Sequence, residues 1–223
     1  MSESVEETII AAVIDAIAEQ RLPAGTKLGE KELSQLFSCN RANVRRALAS
    51  LAAQHVVELR PNRGAFVSSP TPKEAQDVFE ARRAIERTIA RQAAGRASAD
   101  EIARLRQNIS DEVRAHAAGN QPEELRLSRA FHLDIARVAG NAVLERILAE
   151  LTMRTTLILG LYGTGEASNC AKDDHGSIVD ALEAGDAERL VTEMDEHLKH
   201  LEAGVSFSQP KSPATGLRSQ LFV

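Results

Sequence analysis

Apolar residues recur at three- and four-residue intervals along most of the chain, and a different rhythm interrupts them once, between residues 56 and 69. From Ser4 to Gln20, Ile9, Ile10, Val13, Ile14 and Ile17 mark one face of an amphipathic helix, which Pro23 and Gly25 of "LPAGTKL" end. Leu33 and Leu36 predict a short inward-facing helix over Glu30 to Phe37, and "SCN" a turn. Asn40 is a suitable N-cap for a further helix, from Arg41 to about Gln54, with Val44, Ala47, Leu48 and Leu51 as its buried stripe. "VVELR" and "AFVSS" then flank "PNRG", the pattern of a β-hairpin around a turn.

After "PTPKE" the rhythm is helical throughout. Thr71 can cap, Pro72 can take the first helical position and Glu74 can close a capping box. Six stripes follow: Val78, Arg82, Ile85 and Ile89; Ile102, Leu105, Ile109 and Val113 behind the capping pair Ser98 and Glu101; Leu125, His132, Ile135 and Ala139; Val143, Leu144, Ile147, Leu148 and Leu151; Ile178, Val179 and Leu182; Leu190, Met194, Leu198 and Leu201. Short connections between them predict an antiparallel bundle. The expected protein is therefore mainly α. A winged helix-turn-helix with a small hairpin wing (residues 1–69) is followed by a linker (70–73), an all-α bundle (74–204), and a Ser-, Pro- and Gly-rich tail (205–223) expected to be poorly ordered.

Charge changes this picture by region. The formal net charge is -5, yet residues 1–70 carry eight Lys/Arg against eight Asp/Glu, so the acidity belongs to the bundle. Inside the first region, Arg41, Arg45, Arg46, Arg60 and Arg63 face only Glu58 between residues 40 and 63. Such a local excess implies an anionic partner. On a helix, Arg41 and Arg45 share a face with Arg46 beside them, opposite the buried stripe, as a helix in the DNA major groove requires. Arg60, Asn62 and Arg63 sit at the hairpin, where Gly64 lets the backbone come close to a duplex. Aromatic residues make up 3% of the chain, which argues against binding single strands by base stacking. No apolar run approaches a membrane span, so a cytoplasmic location is expected. Cys39 and Cys170 are too few and too far apart to make a disulfide framework or a thiolate metal site, and Cys39 is expected to be buried.

Three histidines lie on separate inward stripes. His132 stands seven residues after Leu125 and three before Ile135; His175 precedes Ile178, Val179 and Leu182; His197 sits between Met194 and Leu201. Each buried imidazole needs a polar partner, and a shared first-row divalent ion would serve all three. Zinc is the first choice, with nickel and manganese open. His200 is expected to be exposed, and His55 and His116 lie in no comparable context.

In order and spacing, "LPAGTKLGEKELSQLFSCNRANVRRALASL" and "VVELRPNRGAFV" resemble the winged helix of the GntR family of bacterial transcription regulators. The resemblance implies DNA contacts from Lys31, Asn40, Arg41, Arg45, Arg63 and Gly64. Asn40 stands where Ser or Thr is usual and Arg46 where Glu is usual, so Arg46 adds charge to the surface. "VFEARRAIE", "LSRAFHLDIARVAGNAVLERIL" and "DDHGSIVDALEAGDAERLVTEMDEHLKHLE" are similar to the helical FCD ligand-binding domain of the FadR-like subgroup. Many members hold a metal through three histidines and an aspartate four residues before the first of them. Here Ser128 takes that position, which leaves the fourth ligand to water, the serine or an effector carboxylate. Members often bind small organic acids beside the metal with help from arginines, for which Arg82 and Arg154 are the candidates. The resulting expectation is a homodimeric regulator, not an enzyme. It would be a repressor on a palindromic double-stranded operator, since one small winged helix makes too few base contacts alone. Two rivals are a regulator whose signal is the ion itself and a metal-dependent hydrolase, for which no glutamate base accompanies a ligand motif such as HExxH.

Overall fold

The computed structural model describes residues 4–164, 167–207 and 216–221, with the side chains of 167–173 left out. Helix α1 (Val5–Ala18) opens with a complete capping box between Ser4 and Glu7. Strand β1 (Lys27–Leu28) leads into α2 (Glu30–Leu36), and α3 (Arg41–Ala53) is capped as expected by Asn40, whose Oδ1 accepts the Asn43 N–H at 2.9 Å. Strands β2 (Val57–Arg60) and β3 (Gly64–Val67) form the hairpin, with Arg60 opposite Gly64 and Val57 opposite Val67. Its turn places Asn62 at φ 59° and Gly64 at φ 100°, the second being backbone that favours glycine. β1 pairs antiparallel with β3, Lys27 against Phe66 and Leu28 against Ala65, so the sheet order is β1-β3-β2. The sequence pattern did not reveal this third strand, because two residues carry no alternation to read.

Six helices follow: α4 (Pro72–Ala93), α5 (Ala99–Ala117), α6 (Gln121–Ala139), α7 (Ala142–Tyr162), α8 (Ala167–Ala184) and α9 (Ala187–Ala203). Capping boxes at Thr71 and Ser98 start α4 and α5, so α4 begins within the stretch read as linker. α9 packs on α4 and α8, α5 on α6 and α8, and α7 on α4 and α6. Within this bundle Phe79, Phe131, Ile135, Leu148 and Ile158 are almost fully buried. A second core gathers Ile9, Val13, Leu33, Val44, Leu48, Leu51 and Val67, together with Met153 and Leu157 of α7. Helix α7 thus contributes to both cores. Cys39 is only half-buried at the edge of the second core, because it sits in the turn rather than on a stripe.

The tail departs from expectation. Phe207 packs against Tyr162 with ring centroids 4.4 Å apart and the planes tilted by 36°, and Leu217–Leu221 forms a short helix, α10, that buries Leu217 and Leu221 in the N-terminal core. Arg21 Nη1 donates to the Gln220 carbonyl. The surrounding Ser, Pro and Gly mask a leucine pair at i, i+4, which is enough to anchor one helical turn. The rest of the tail, residues 208–215 and 222–223, lies outside the described residues.

Candidate metal centre and nucleic-acid interface

The arginine-rich surface is built by α2, α3 and the hairpin turn. Arg41, Arg45 and Arg46 are exposed on α3 while Val44, Ala47, Leu48 and Leu51 are buried, as the stripe predicts. Arg45 Nε donates to Glu30 Oε2 of α2 at 2.9 Å, and Arg46 Nε to Glu6 Oε2 of α1 at 3.2 Å. These exposed pairs orient the helix more than they stabilise it, since such pairs are worth about 0–1 kcal/mol. Lys31, Arg41 and Arg63 are exposed and have no acidic partner among the described residues, so they are free to meet phosphates. Arg60 behaves differently. Its guanidinium lies 4.4 Å from the centroid of Phe66 and pairs with Glu58 at 2.8 Å, which ties it to the hairpin instead of projecting it from the tip.

In the bundle, α6, α8 and α9 deliver His132, His175 and His197 to one point. His197 Nε2 lies 3.2 Å from His175 Nε2 and 3.2 Å from His132 Nε2. All three rings are buried, and Phe131 stacks on His175 with centroids 4.0 Å apart, forming an apolar wall. Two of the Nδ1 atoms are hydrogen-bonded to a carboxylate, His132 to Glu86 Oε2 at 2.6 Å and His175 to Glu112 Oε2 at 2.7 Å. His197 Nδ1 stands 3.4 Å from Asp174 Oδ2, within ion-pair reach but without the alignment of a hydrogen bond. A carboxylate at Nδ1 favours the proton there, which turns the Nε2 lone pairs of His132 and His175 towards His197 Nε2.

Imidazole Nε2 atoms 3.2 Å apart repel through their lone pairs unless a proton or a cation lies between them. Ligands about 2.0–2.1 Å from a tetrahedral ion sit roughly 3.3 Å from each other, close to the spacing seen. Burial, only partly offset by Glu86, pushes the pKa of His132 down to about 4, and burial together with His175 takes His197 well below its ordinary value. Both are therefore neutral ligands at physiological pH. Glu86 is driven up by burial, but Arg82 and His132 outweigh this and hold it at about 2. Glu86, Glu112 and Asp174 against Arg82 leave a formal charge of -2 around the neutral imidazoles, the complement of a dication. The residues present fit a divalent metal.

Arg82 lies at this centre. It is 3% exposed, its Nε donates to Glu86 Oε1 at 2.6 Å, and its charge acts on both His132 and His197. One guanidinium nitrogen, Nη2, is buried without a hydrogen-bond partner among the described residues. Ser128 stands half-buried one turn before His132, and its hydroxyl bonds no described residue. Arg154 is not brought here. It lines a separate cleft with His55, Ser69 and Glu74 at the start of α4, and the 12 residues between Glu74 and Glu86 span roughly 18 Å of helix. Its spacing on α7 gave no hint of which end of the bundle it would reach. His200 is half-exposed and shares Asp174 with His197, at 2.8 Å from Oδ2. His55 pairs with Glu150 at 3.2 Å and His116 with Glu124 at 3.0 Å. Reading the sequence missed the three carboxylates. Glu86 follows Arg82 by four and Glu112 follows Leu105 by seven, so both stood on inward stripes where an acid is costly unless paired.

An exposed basic helix edge beside a hairpin, joined to a helical body with a buried three-histidine cluster, defines a winged-helix DNA-binding protein with a metal-competent helical body. Residues 5–67 match the family of bacterial regulatory proteins of the gntR family, and residues 77–200 match the FCD domain. The chain belongs to the GntR family of transcription regulators, in the branch that carries an FCD domain. It is 29% identical to a probable D-xylose utilization operon transcriptional repressor of Paenarthrobacter nicotinovorans, over 83% of this chain and 82% of that protein. It is 23% identical to the transcriptional repressor RspR of Escherichia coli K12, over 92% and 90%. In fold it is similar to E. coli McbR/YncC, with TM-score 0.76 and 17% identity over 91% of this chain and 97% of that one. A GntR regulator from Rhodococcus sp. RHA1 gives TM-score 0.75 at 20% identity over 89% and 95%. Among the described residues no helix is long and apolar enough to cross a membrane.

Proposed function

We propose that this DNA-binding regulator is a homodimeric repressor of a palindromic operator, released when a small organic acid binds beside a zinc ion held by His132, His175 and His197. Residues 1–69 read DNA and residues 74–204 sense and dimerise. The protein works in the cytoplasm, where its operator is. Lys31, Asn40, Arg41, Arg45, Arg46, Arg63 and Gly64 form the reading surface, the free cations meeting phosphates and the start of α3 meeting base edges. The ion supplies a Lewis-acidic position for a carboxylate oxygen, with Ser128 nearby as ligand or hydrogen-bond donor.

The observation that carries the effector reading is the unpartnered Nη2 of Arg82 next to the histidine cluster. A buried donor without a partner costs about 1–3 kcal/mol, which an anionic ligand would recover. That gain is available only when acid binds, so binding can shift the bundle between arrangements and with it the heads. Relatives named as repressors align with 83% and 92% of this chain, spans that take in parts of both units.

Elemental analysis and an operator shift assay test this together. The purified protein should carry about one equivalent of zinc per chain. His132→Ala, His175→Ala and His197→Ala should each lose it. A carboxylic acid that releases operator from the parent protein should fail on Arg82→Gln. Metal content unaltered in all three histidine variants sinks the metal centre. Release by zinc alone, with no acid effective, makes the ion the signal instead.

A further inference from the structure

Between the two cores lies a second cavity that the metal centre does not use. Its volume is about 250 Å³, and its walls come from α1 and from the bundle helices α6 and α7. Ile10, Ile14, Ala18 and Met153 make it mainly apolar. Arg129 of α6 lines the same space, half-buried, and has no acidic partner among the described residues. Its neighbour Arg126 is already paired with Glu123, at 2.6 Å. Burial, then the charge of Arg126, lowers the pKa of Arg129, the mark of a cation held in a poorly solvated place without an anion. On the α1 wall Glu7 is committed to its own helix cap, and Asp15 is left as the one uncapped acid of the lining.

We propose that this groove binds a monocarboxylic acid with a compact hydrocarbon body, the carboxylate on Arg129 and the hydrocarbon against Ile10, Ile14 and Met153. The occupant is set by the lining. An apolar floor takes a hydrocarbon, the unpaired guanidinium takes a carboxylate bidentately, and Asp15 disfavours a second negative charge. Such a ligand touches the first helix of the reading unit and two helices of the sensory body at once. It acts as a wedge or clasp on their relative position and is a second input, independent of the histidine centre.

Hexanoate, with 1-hexanol and the dicarboxylate adipate as controls, is a suitable probe in titration calorimetry on the full-length protein. Saturable hexanoate binding is expected, weakened about tenfold or more in Arg129→Gln through loss of the charge-assisted pair. Binding should also be lost in Ala11→Phe, whose ring fills the groove from a half-buried position. Hexanol and adipate should bind more weakly than hexanoate. Binding that is as tight in both groove variants as in the parent overturns the proposal. So does absence of saturable binding, or a change of sedimentation state in Ala11→Phe without any hexanoate binding, which would make the groove a contact between copies.

Discussion

Glu86 accepts from Arg82 on one oxygen and faces His132 Nδ1 with the other, so one buried side chain both neutralises a cation and sets the tautomer of a candidate metal ligand. Replacing it with Gln keeps the shape and removes the charge. Metal affinity should then fall about 10- to 100-fold, as for other partners that orient a ligating imidazole. Stability should fall as well, by up to about 3–5 kcal/mol, because Arg82 would remain as an uncompensated buried charge. Competition with a chelating dye measures the first effect and denaturant melts the second; unchanged affinity would deprive Glu86 of its positioning role. The same cluster sets an acid limit. In the unfolded chain His132 takes a proton near its ordinary 6.5, but in the fold only near about 4, so stability falls as pH drops between those values. Glu86, lowered from 4.5 to about 2, adds a contribution that is full above 4.5 and lost as pH falls towards 2. Metal-stripped protein should therefore melt at progressively lower temperature from about pH 6.5 downward. A melting temperature that stays level between pH 7 and pH 5 would contradict that neutral, buried histidine.

In the proposed function, helix α3 and the hairpin carry the reading of DNA. Arg45→Ala removes an exposed side chain whose partner, Glu30, is only half-buried, so the fold should be untouched. Specific operator affinity should drop by about 1–3 kcal/mol, to the level of non-specific binding if Arg45 is the main base contact. Arg63→Ala, at the hairpin tip, should weaken all duplexes alike and make binding less sensitive to salt. These elements were legible in the sequence because each announces itself locally: Asn40 caps, a four-residue apolar stripe orients α3, and "PNRG" turns the hairpin. Elements whose burial depends on distant partners were harder to read. Val143 and Ile147 fit the stripe of α7 but remain 56% and 41% exposed, since only the Leu144 and Leu148 side of that part of the helix meets the bundle core. α10 was hidden because one helical turn has no periodicity of its own and exists through the core it covers. The histidines were visible as polar intruders on apolar stripes, whereas their convergence within one site, and the displacement of Arg154 from it, are properties of helix packing.

Across the whole molecule, the N-terminal unit and the bundle meet where α1 crosses α7. Met153 and Leu157 of α7 enter the N-terminal core while Leu148 and Ile158 of the same helix enter the bundle core, so a shift of α7 is felt by both. Gly160 permits the closest approach. A Cβ there would stand 3.0 Å from the Ile17 carbonyl oxygen and 3.1 Å from the Ala18 Cα, both of them backbone that cannot rotate away. For Gly160→Ala two effects oppose each other: the helix gains roughly 1 kcal/mol of propensity, and α1 must give by a few tenths of an ångström. Gly160→Leu leaves no such balance, because its added carbons enter space held by the main chain of α1. The reading unit should then loosen from the bundle, losing Met153 and Leu157 from its core, while the bundle keeps Leu148 and Ile158. Calorimetry should resolve two melting transitions in place of one, zinc content should be unchanged, and the operator should still be bound. Effector acids should no longer release it, because the signal from the histidine centre would lose the contact that carries it to α1. A Gly160→Leu protein that still lets go of its operator on adding acid would show that coupling runs by another route, through the start of α4 at Thr71 and the His55 to Glu150 pair.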